Sequence, residues 1–201
     1  MIVLVSGATR TMERHADDDR FGYLFTPNDW GFHVPPSKKW AADNGAYSGF
    51  DGALFQEMLN RIQDYPSCLF VAAPDVVADF SATDALWRTW ESRLHSLGFP
   101  AAYVLQDGCR VVPWKTCEAV FIGGSTEWKL STQCAALVDD AKQRGKWVHM
   151  GRVNSRRRVR YAADLHVDSI DGTMFSKWPD IGFSRYQRWD QQLRAQPRLP
   201  L

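Results

Sequence analysis

Short apolar runs alternate with amphipathic helical patterns along most of this chain, and this alternation constrains its fold more than any other feature. Eight runs are predicted to be strands, at residues 2–5, 22–25, 40–42, 69–72, 102–105, 119–122, 147–150 and 167–170. Helices are predicted over residues 51–64, 81–97, 131–144 and 155–165, with Ser81 and Ser131 as N-caps. Strand–helix alternation is typical of a parallel sheet covered by helices, and eight strands predict an α/β fold of the (β/α)8 TIM-barrel type.

The length of 201 residues requires a compact, trimmed version of that barrel, because such barrels usually need about 250 residues. We expect a single domain over residues 1–201. Loops are expected to replace helices in the first forty residues, where no amphipathic pattern occurs. Arginines recur after Gly182, so residues 183–201 are expected to form a basic tail that frays at its end.

Composition excludes several classes of protein. The net charge is +1, from 24 Lys and Arg against 23 Asp and Glu, so nucleic-acid binding has to come from a local basic patch. No apolar run approaches the roughly 20 residues that cross a bilayer, and the N-terminus lacks the basic region of a signal peptide. The four cysteines form no C-x-x-C pair. We therefore expect a cytoplasmic protein with free thiols, no membrane contact, no metal and no cofactor.

Polar clusters directly follow the later predicted strands. They lie at residues 43–47, 74–75, 106–108, 123–125, 151–154 and 168–173. Each cluster alone is an ordinary turn or cap sequence. In a parallel barrel, however, all six converge on the C-terminal face, where barrel enzymes hold their catalytic residues. The sequence therefore predicts a functional site at that face.

The same clusters resemble, in order, the motifs of the tRNA-guanine transglycosylases. Residues 42–47 are similar to that family's D-S-G-G-[FY]-Q segment, and residues 70–75 to its aspartate-bearing strand. Its V-Q-G-G, I-G-G, L-M-G and V-D-x-x-D motifs are matched by residues 104–108, 121–124, 148–151 and 167–171. The resemblance covers residues 41–175 and implies a barrel that breaks the N-glycosidic bond of a base in nucleic acid.

The resemblance also implies roles for individual residues. Asp171 matches the nucleophile that attacks the sugar C1′, and Asp43 matches the residue that handles the proton on the departing or entering base. The positions that match the family's base pocket are Asp75, Gln106, Gly123 and Gly124. The chemistry is coherent by itself, because cleavage needs one carboxylate to meet the cationic charge at C1′ and one proton donor for the base. Backbone N–H groups at Gly123 and Gly124 are expected to read a base edge.

A second carboxylate lies close to the nucleophile. Asp168 and Asp171 are three residues apart, so on a regular strand they point to opposite faces. Asp171 lies nearer the carboxyl end of the strand and is favoured as nucleophile. Asp168 is expected to hold the rim through hydrogen bonds to Arg152 or to backbone N–H groups. His149 and His166 are expected to be structural, since neither has metal-ligand spacing to another histidine.

Departures from the family pattern bear on the substrate. The chain lacks the C-x-C-x-x-C zinc site and the insertion that carries it, which help the family to grip tRNA. The chain is therefore more similar to the small DNA-acting relatives, and DNA is favoured over tRNA. Free base or water is the second substrate, so base exchange and base excision both stay open. The alternatives are a tRNA enzyme without its zinc module and an inactive barrel that only binds nucleic acid.

Five arginines fall within residues 152–160, after the seventh predicted strand. Barrels often bind phosphate at this place. The residues expected to contact the sugar-phosphate are Arg152, Asn154, Arg156 and Arg158. A solvated helix face is the alternative for Arg157 and Arg158. Aromatic residues near the rim can stack on a flipped base, with core or rim packing as the alternative. They are Tyr47, which is assigned to base binding, and Trp30, Phe32, Trp128 and Trp178.

Overall fold

The computed structural model describes residues 1–7 and 9–195 and contains a closed barrel of eight parallel strands. The strands are β1 Ile2–Ser6, β2 Phe21–Phe25, β3 Trp40–Ala42, β4 Cys68–Ala72, β5 Ala101–Leu105, β6 Ala119–Ile122, β7 Trp147–Met150 and β8 Ser169–Asp171. Each strand pairs with the next along the chain, and β8 closes the barrel by pairing with β1. The predicted (β/α)8 barrel is confirmed, together with all eight predicted strands.

The helices explain how so short a chain completes a barrel. They are α1 Arg10–Arg14, α2 Gly52–Ile62, α3 Phe80–Ser96, α4 Thr126–Lys129, α5 Thr132–Gln143, α6 Arg156–Asp164, α7 Thr173–Lys177 and α8 Pro179–Ala195. The four predicted helices correspond to α2, α3, α5 and α6. Residues 26–39 and 106–118 connect their strands without any helix. The trimming therefore removes crossover helices and keeps every strand.

The starts of the helices follow the usual capping chemistry. The hydroxyls of Ser131 and Ser155 each accept a hydrogen bond from the backbone N–H three residues further on. The N-cap of α3 is Asp79, whose carboxylate accepts from the N–H of Ala82 at 3.0 Å. The expectation that Ser81 caps this helix is therefore wrong, because the carboxylate two residues earlier already satisfies the first turn.

Both ends of the chain are more helical than the sequence pattern indicates. Helix α1 lies within the first forty residues, where only loops were expected. Helix α8 occupies most of the expected basic tail, and its Phe183 and Tyr186 are buried. Phe183 stacks on Phe21 with ring centroids 3.8 Å apart. Residues 183–195 are therefore a packed helix, not a tail, and residues 196–201 lie outside the described residues.

Strand alternation decides which side chains enter the barrel. The interior is filled by a cluster of alternating strand residues, which combines alanines with larger apolar side chains such as Phe70 and Phe121. His149 of β7 is fully buried in this interior, with its ring centroid 5.1 Å from that of Phe70 and 4.6 Å from that of Phe121. On β8, Asp171 points the same way as Ser169, two residues before it. Polar groups thus line the carboxyl end of the barrel.

Asp168 lies on the outside of the barrel, as predicted from its spacing to Asp171. Both of its carboxylate oxygens accept from Lys142 Nζ at 2.7 Å, and one accepts from the N–H of Val148 at 2.8 Å. The predicted bond to a backbone N–H occurs, but Asp168 precedes β8 at the amino end of the barrel, so the expectation that it holds the rim is wrong. The alternative partner Arg152 is wrong, because its side chain lies at the inner rim.

The four cysteines are free thiols, as predicted. Within the described residues, no helix is both long and apolar enough to span a bilayer. The same part of the chain contains no group of three His, Cys, Asp or Glu side chains that could hold a metal ion.

Candidate active site

A cavity opens at the carboxyl ends of the strands and collects polar residues from five of them. The residues that line it include Asp43, Asp75, Gln106, Gly123, Gly124 and Asp171, together with Tyr47, Lys129 and Arg152 from the loops and α4. The strand-end clusters singled out in the sequence thus share one site.

Asp171 is held by two hydrogen bonds at the end of β8. Its Oδ2 accepts from His149 Nε2 at 2.9 Å, and its Oδ1 accepts from the backbone N–H of Arg152 at 3.1 Å. Burial alone would raise the pKa of Asp171, but the hydrogen bond and electrostatic interaction with His149, the N–H of Arg152 and the nearby charge of Lys129 outweigh it. The pKa of Asp171 therefore lies below its ordinary value, and the side chain is a carboxylate at neutral pH.

A chain of side chains inside the barrel fixes the orientation of His149. Trp147 Nε1 donates to Ser169 Oγ at 2.9 Å, and Ser169 Oγ lies 2.9 Å from His149 Nδ1. Ser169 and Asp171 therefore hold the two ring nitrogens of His149, and Nε2 faces the carboxylate. Sequence reasoning treated His149 as purely structural. The two-residue period of β7 and β8 is the signal that places it on the inner face with Asp171.

Asp43 follows β3 and differs sharply from Asp171 in its protonation. Its Oδ1 accepts from the N–H of Gly45 at 3.0 Å, which stabilises the ionised form. Burial works in the opposite direction, as do the negative charges of Asp171 and Asp75, and together they raise the pKa of Asp43 to about 7. One cavity therefore holds an ionised carboxylate and a carboxyl group that carries its proton near neutrality. Two carboxyl groups whose pKa values differ in this way can take the acid and the base roles in catalysis.

Asp75 is positioned by two amides. Asn44 Nδ2 donates to Asp75 Oδ1 at 2.7 Å, and Gln106 Nε2 donates to Asp75 Oδ2. The orientation of the Gln106 amide is set by the backbone N–H of Ala78, which donates to Gln106 Oε1 at 2.8 Å. Burial raises the pKa of Asp75. In the sequence, Asn44 is one residue of the motif at 42–47, and nothing there predicts that it holds Asp75.

Gly123 makes room for this arrangement. A Cβ at this position would lie 2.6 Å from Gln106 Nε2 and 2.9 Å from Val104 Cγ1, which is closer than real side chains approach. The N–H of Gly123 donates to Leu105 O and Phe121 O, both at 3.0 Å. The expectation that this N–H reads a base edge is therefore wrong, because the barrel already uses it.

Arg152 lies at the mouth of the cavity in an unusual backbone conformation. Its φ is +62°, in the left-handed region that non-glycine residues rarely adopt. This conformation aims its N–H at Asp171, while its guanidinium donates to the carbonyl of Gly124 and stacks over Tyr47 at 4.7 Å. Tyr47 itself is 72% exposed. Strained backbone of this kind persists where the surrounding structure requires it, often at functional sites.

Other predicted site residues lie outside the cavity. Asn154 Oδ1 accepts from the N–H of Met174 at 2.9 Å and so holds the start of α7. Arg156 is exposed in the first turn of α6. Among the rim aromatics, Tyr47 lines the cavity. Phe32 packs on Phe25, with centroids 4.7 Å apart, and the other three are Trp30, partly buried against the core, Trp128, buried, and Trp178, exposed.

Comparison with known proteins does not assign this chain to a family. No protein-family model and no curated protein matches this sequence. Among solved structures, the chain is similar to 3-hexulose-6-phosphate synthase from Salmonella typhimurium, with 14% sequence identity and a TM-score of 0.45, over 85% of this chain and 87% of that chain. A likeness at this level carries no information on activity.

Proposed function

We propose that this protein breaks the N-glycosidic bond of a base in nucleic acid, with DNA favoured over tRNA. Asp171 acts as the nucleophile and Asp43 as the proton donor. The observation that carries this proposal is the pairing of the two groups across one cavity, one ionised and one with a pKa of about 7. The order of motifs that resembles the transglycosylases supports the same assignment.

In the proposed reaction, a carboxylate oxygen of Asp171 bonds to C1′ as the bond from C1′ to the base nitrogen breaks. Asp43 gives its proton to the departing base, so the base leaves neutral. Water or a second base then attacks C1′ and displaces Asp171. Asp43 takes up the proton from the attacking group, which restores both side chains.

His149 and the N–H of Arg152 keep Asp171 ionised and aimed into the cavity. The other ring nitrogen of His149, Nδ1, lies 2.9 Å from Ser169 Oγ, so the imidazole is held on both sides. An ionised and oriented carboxylate can stabilise the positive charge that develops at C1′.

Asp75 supplies the contact to the base in this proposal. Its two oxygens are held by Asn44 and Gln106, and each carboxylate oxygen has more than one lone pair. The remaining acceptor positions suit a base that presents N–H donors on its edge. A pocket built around an acceptor rejects bases that present only carbonyl oxygens there.

The test is to incubate the protein separately with unmodified DNA, DNA carrying modified purines, and tRNA. Released base is measured by mass spectrometry and abasic sites by aldehyde labelling. We expect release from a DNA substrate, and inclusion of free labelled base distinguishes exchange from hydrolysis. Release from tRNA alone would favour the transglycosylase without its zinc module. Binding of nucleic acid with no release from any substrate would favour the inactive barrel.

A further inference from the structure

Lys129 is a buried cation that no step of the proposed reaction uses. It ends helix α4, it is 8% exposed, and its Nζ donates to the carbonyl of Gly151 at 2.9 Å. Lysine is almost never this buried unless it has a partner of opposite charge. Here the hydrogen-bond partner is a neutral carbonyl.

Two arginines next to Lys129 also donate their hydrogen bonds to neutral oxygens. The Arg152 guanidinium donates to Gly124 O, and Arg158 donates to Arg152 O at 3.0 Å and to Thr126 Oγ1 at 3.1 Å. In the described part of the chain, none of the three cations forms an ion pair with a carboxylate. Three positive groups therefore lie together with only neutral oxygens as partners, and we call them the cation cluster.

The cation cluster lines a cleft that adjoins the active-site cavity. Lys129, Gly151 and Arg152 line both spaces, while Thr126 and Arg158 line the cleft alone, and no acidic residue lines the cleft. The charged or titratable groups that affect Lys129 include Arg152, Arg158, Asp171 and Cys134, and Asp75 interacts with both Lys129 and Arg152. Burial is the main cause that lowers the pKa of Lys129 to about 8; Arg152 and Arg158 lower it further, and Asp171 opposes them. Within the cleft itself the three cations meet no carboxylate, so an anion bound there would be stabilised.

We propose that Lys129, Arg152 and Arg158 bind a backbone phosphodiester of the strand that carries the reacting nucleoside. This inference rests on the proposed function for its choice of anion. A sugar placed with C1′ against Asp171 carries its phosphates on C3′ and C5′, a few bonds away. Gly151 lines both the cavity and the cleft and adjoins Asp171, since a Cβ there would lie 3.3 Å from Asp171 Oδ2. Guanidinium and ammonium groups are the side chains that proteins use to bind phosphate oxygens.

The proposal gives the arginines at the start of α6 two different roles. Arg158 turns inward to Arg152 O and Thr126, whereas Arg156 and Arg157 are exposed on the outer surface of the helix. Arg157 therefore provides a matched control: it has the same side chain, on the same helix, one residue from Arg158. Lys129→Arg provides a second control, because arginine keeps its charge at all pH values used.

The experiment measures the binding of an oligodeoxynucleotide that contains one tetrahydrofuran abasic analogue, followed by fluorescence anisotropy at several salt concentrations. This probe has phosphates but no base, so the identity of the base does not matter. We expect Lys129→Met and Arg158→Gln each to weaken binding at least tenfold and to reduce the slope of log affinity against log salt by about one. Arg157→Gln should change affinity by less than threefold.

The pH dependence gives an independent readout. The anion binds protonated Lys129, so affinity should fall as pH rises from 7 to 9 through the pKa of about 8. In Lys129→Arg the affinity should be retained, and the part of this decrease that comes from Lys129 should disappear. Asp43 lines the adjoining cavity and loses its proton near pH 7, so the comparison is made in an Asp43→Asn background, which removes that contribution.

Three results would overturn the proposal: wild-type affinity in Lys129→Met, equal losses in Arg157→Gln and Arg158→Gln, or a deoxynucleoside 5′-monophosphate that binds more tightly than the oligonucleotide. Asp171→Asn should bind the probe like the wild type. Wild-type protein that releases base from a substrate but does not bind the abasic probe counts against the cation cluster alone. Wild-type protein that binds the probe, with the expected losses in Lys129→Met and Arg158→Gln, but releases no base from any substrate counts against the proposed function alone.

Discussion

His149 Nε2 lies 2.9 Å from Asp171 Oδ2, and the two side chains enter the barrel from neighbouring strands, β7 and β8. The imidazole is fully buried between the rings of Phe70 and Phe121 and cannot turn away. Ser169 Oγ lies 2.9 Å from the other ring nitrogen, Nδ1, and holds the imidazole from the opposite side. The orientation of the proposed nucleophile therefore depends on residues deep in the barrel that do not touch the substrate.

His149→Phe should reduce base release while leaving the binding of abasic DNA unchanged. Asp171 loses a donor, so its pKa rises and the acid limb of the pH–rate profile moves to higher pH. His149→Gln should restore part of the rate, because an amide can both accept from Ser169 and donate to Asp171. A role limited to packing would instead give equal rates and unchanged pH profiles in both variants once the folded fraction is taken into account.

The rate of base release should fall as pH rises above about 7. The reaction requires Asp43 to be protonated, and its pKa of about 7 sets the basic limb of the profile. Asp43→Asn should remove this limb and slow release by about a hundredfold or more for a base that leaves only when protonated. The release rate of a base that leaves easily as an anion should not change in this variant. An unchanged basic limb in Asp43→Asn would assign it to another group.

The same substitution should stabilise the folded protein above neutral pH. Folding raises the pKa of Asp43 from 3.8 to about 7, so the folded state binds the proton more tightly and stability falls as pH rises through this window. Asp43→Asn removes that loss, and its carbonyl oxygen can still accept from Gly45. Denaturant unfolding at pH 8 should show a more stable variant, and the difference should shrink towards pH 4. A variant less stable at pH 8 would contradict the raised pKa.

Gly123→Ala should damage the base pocket through a single methyl group. The new Cβ would meet the amide of Gln106 at 2.6 Å and Val104 at 2.9 Å, so Gln106 has to move away from Asp75. Overpacking of this kind costs about 1–3 kcal/mol of stability, and base release should fall through weaker substrate binding. Gly31→Ala is the control, since a Cβ there has no neighbour within 4 Å. Equal behaviour of the two variants would contradict the assigned role of Gly123.

The sequence predicts the barrel well because each strand and each long helix carries its own local pattern. The trimmed connections also follow from sequence, since no helical pattern can be found where the structure has loops between β2 and β3. Helix α8 is different. Its turns are rich in arginine, and only the burial of Phe183 and Tyr186 against the start of the barrel identifies it as a packed helix. That packing depends on contacts between the two ends of the chain.

The candidate site is likewise predicted from the sequence only in part. The strand-end motifs place Asp43, Asp75 and Asp171 at one cavity because parallel strands all end at one face. The groups that tune these carboxylates were missed, because their roles come from neighbours distant in sequence. His149 is 22 residues from Asp171, and Asn44 is 31 residues from Asp75. Neither pair forms a local motif.

The most direct test of the central claim is single-turnover base release by Asp171→Asn, on whichever substrate the wild type cleaves. The amide can neither attack C1′ nor stabilise its positive charge, so we expect release to fall by several orders of magnitude while abasic-DNA binding and thermal unfolding stay close to wild type. Denatured wild-type protein should carry a sugar–DNA adduct on the peptide containing Asp171, and the variant should carry none. A folded Asp171→Asn protein that releases base at near wild-type rate would contradict the account and move the nucleophile to Asp43 or Asp75.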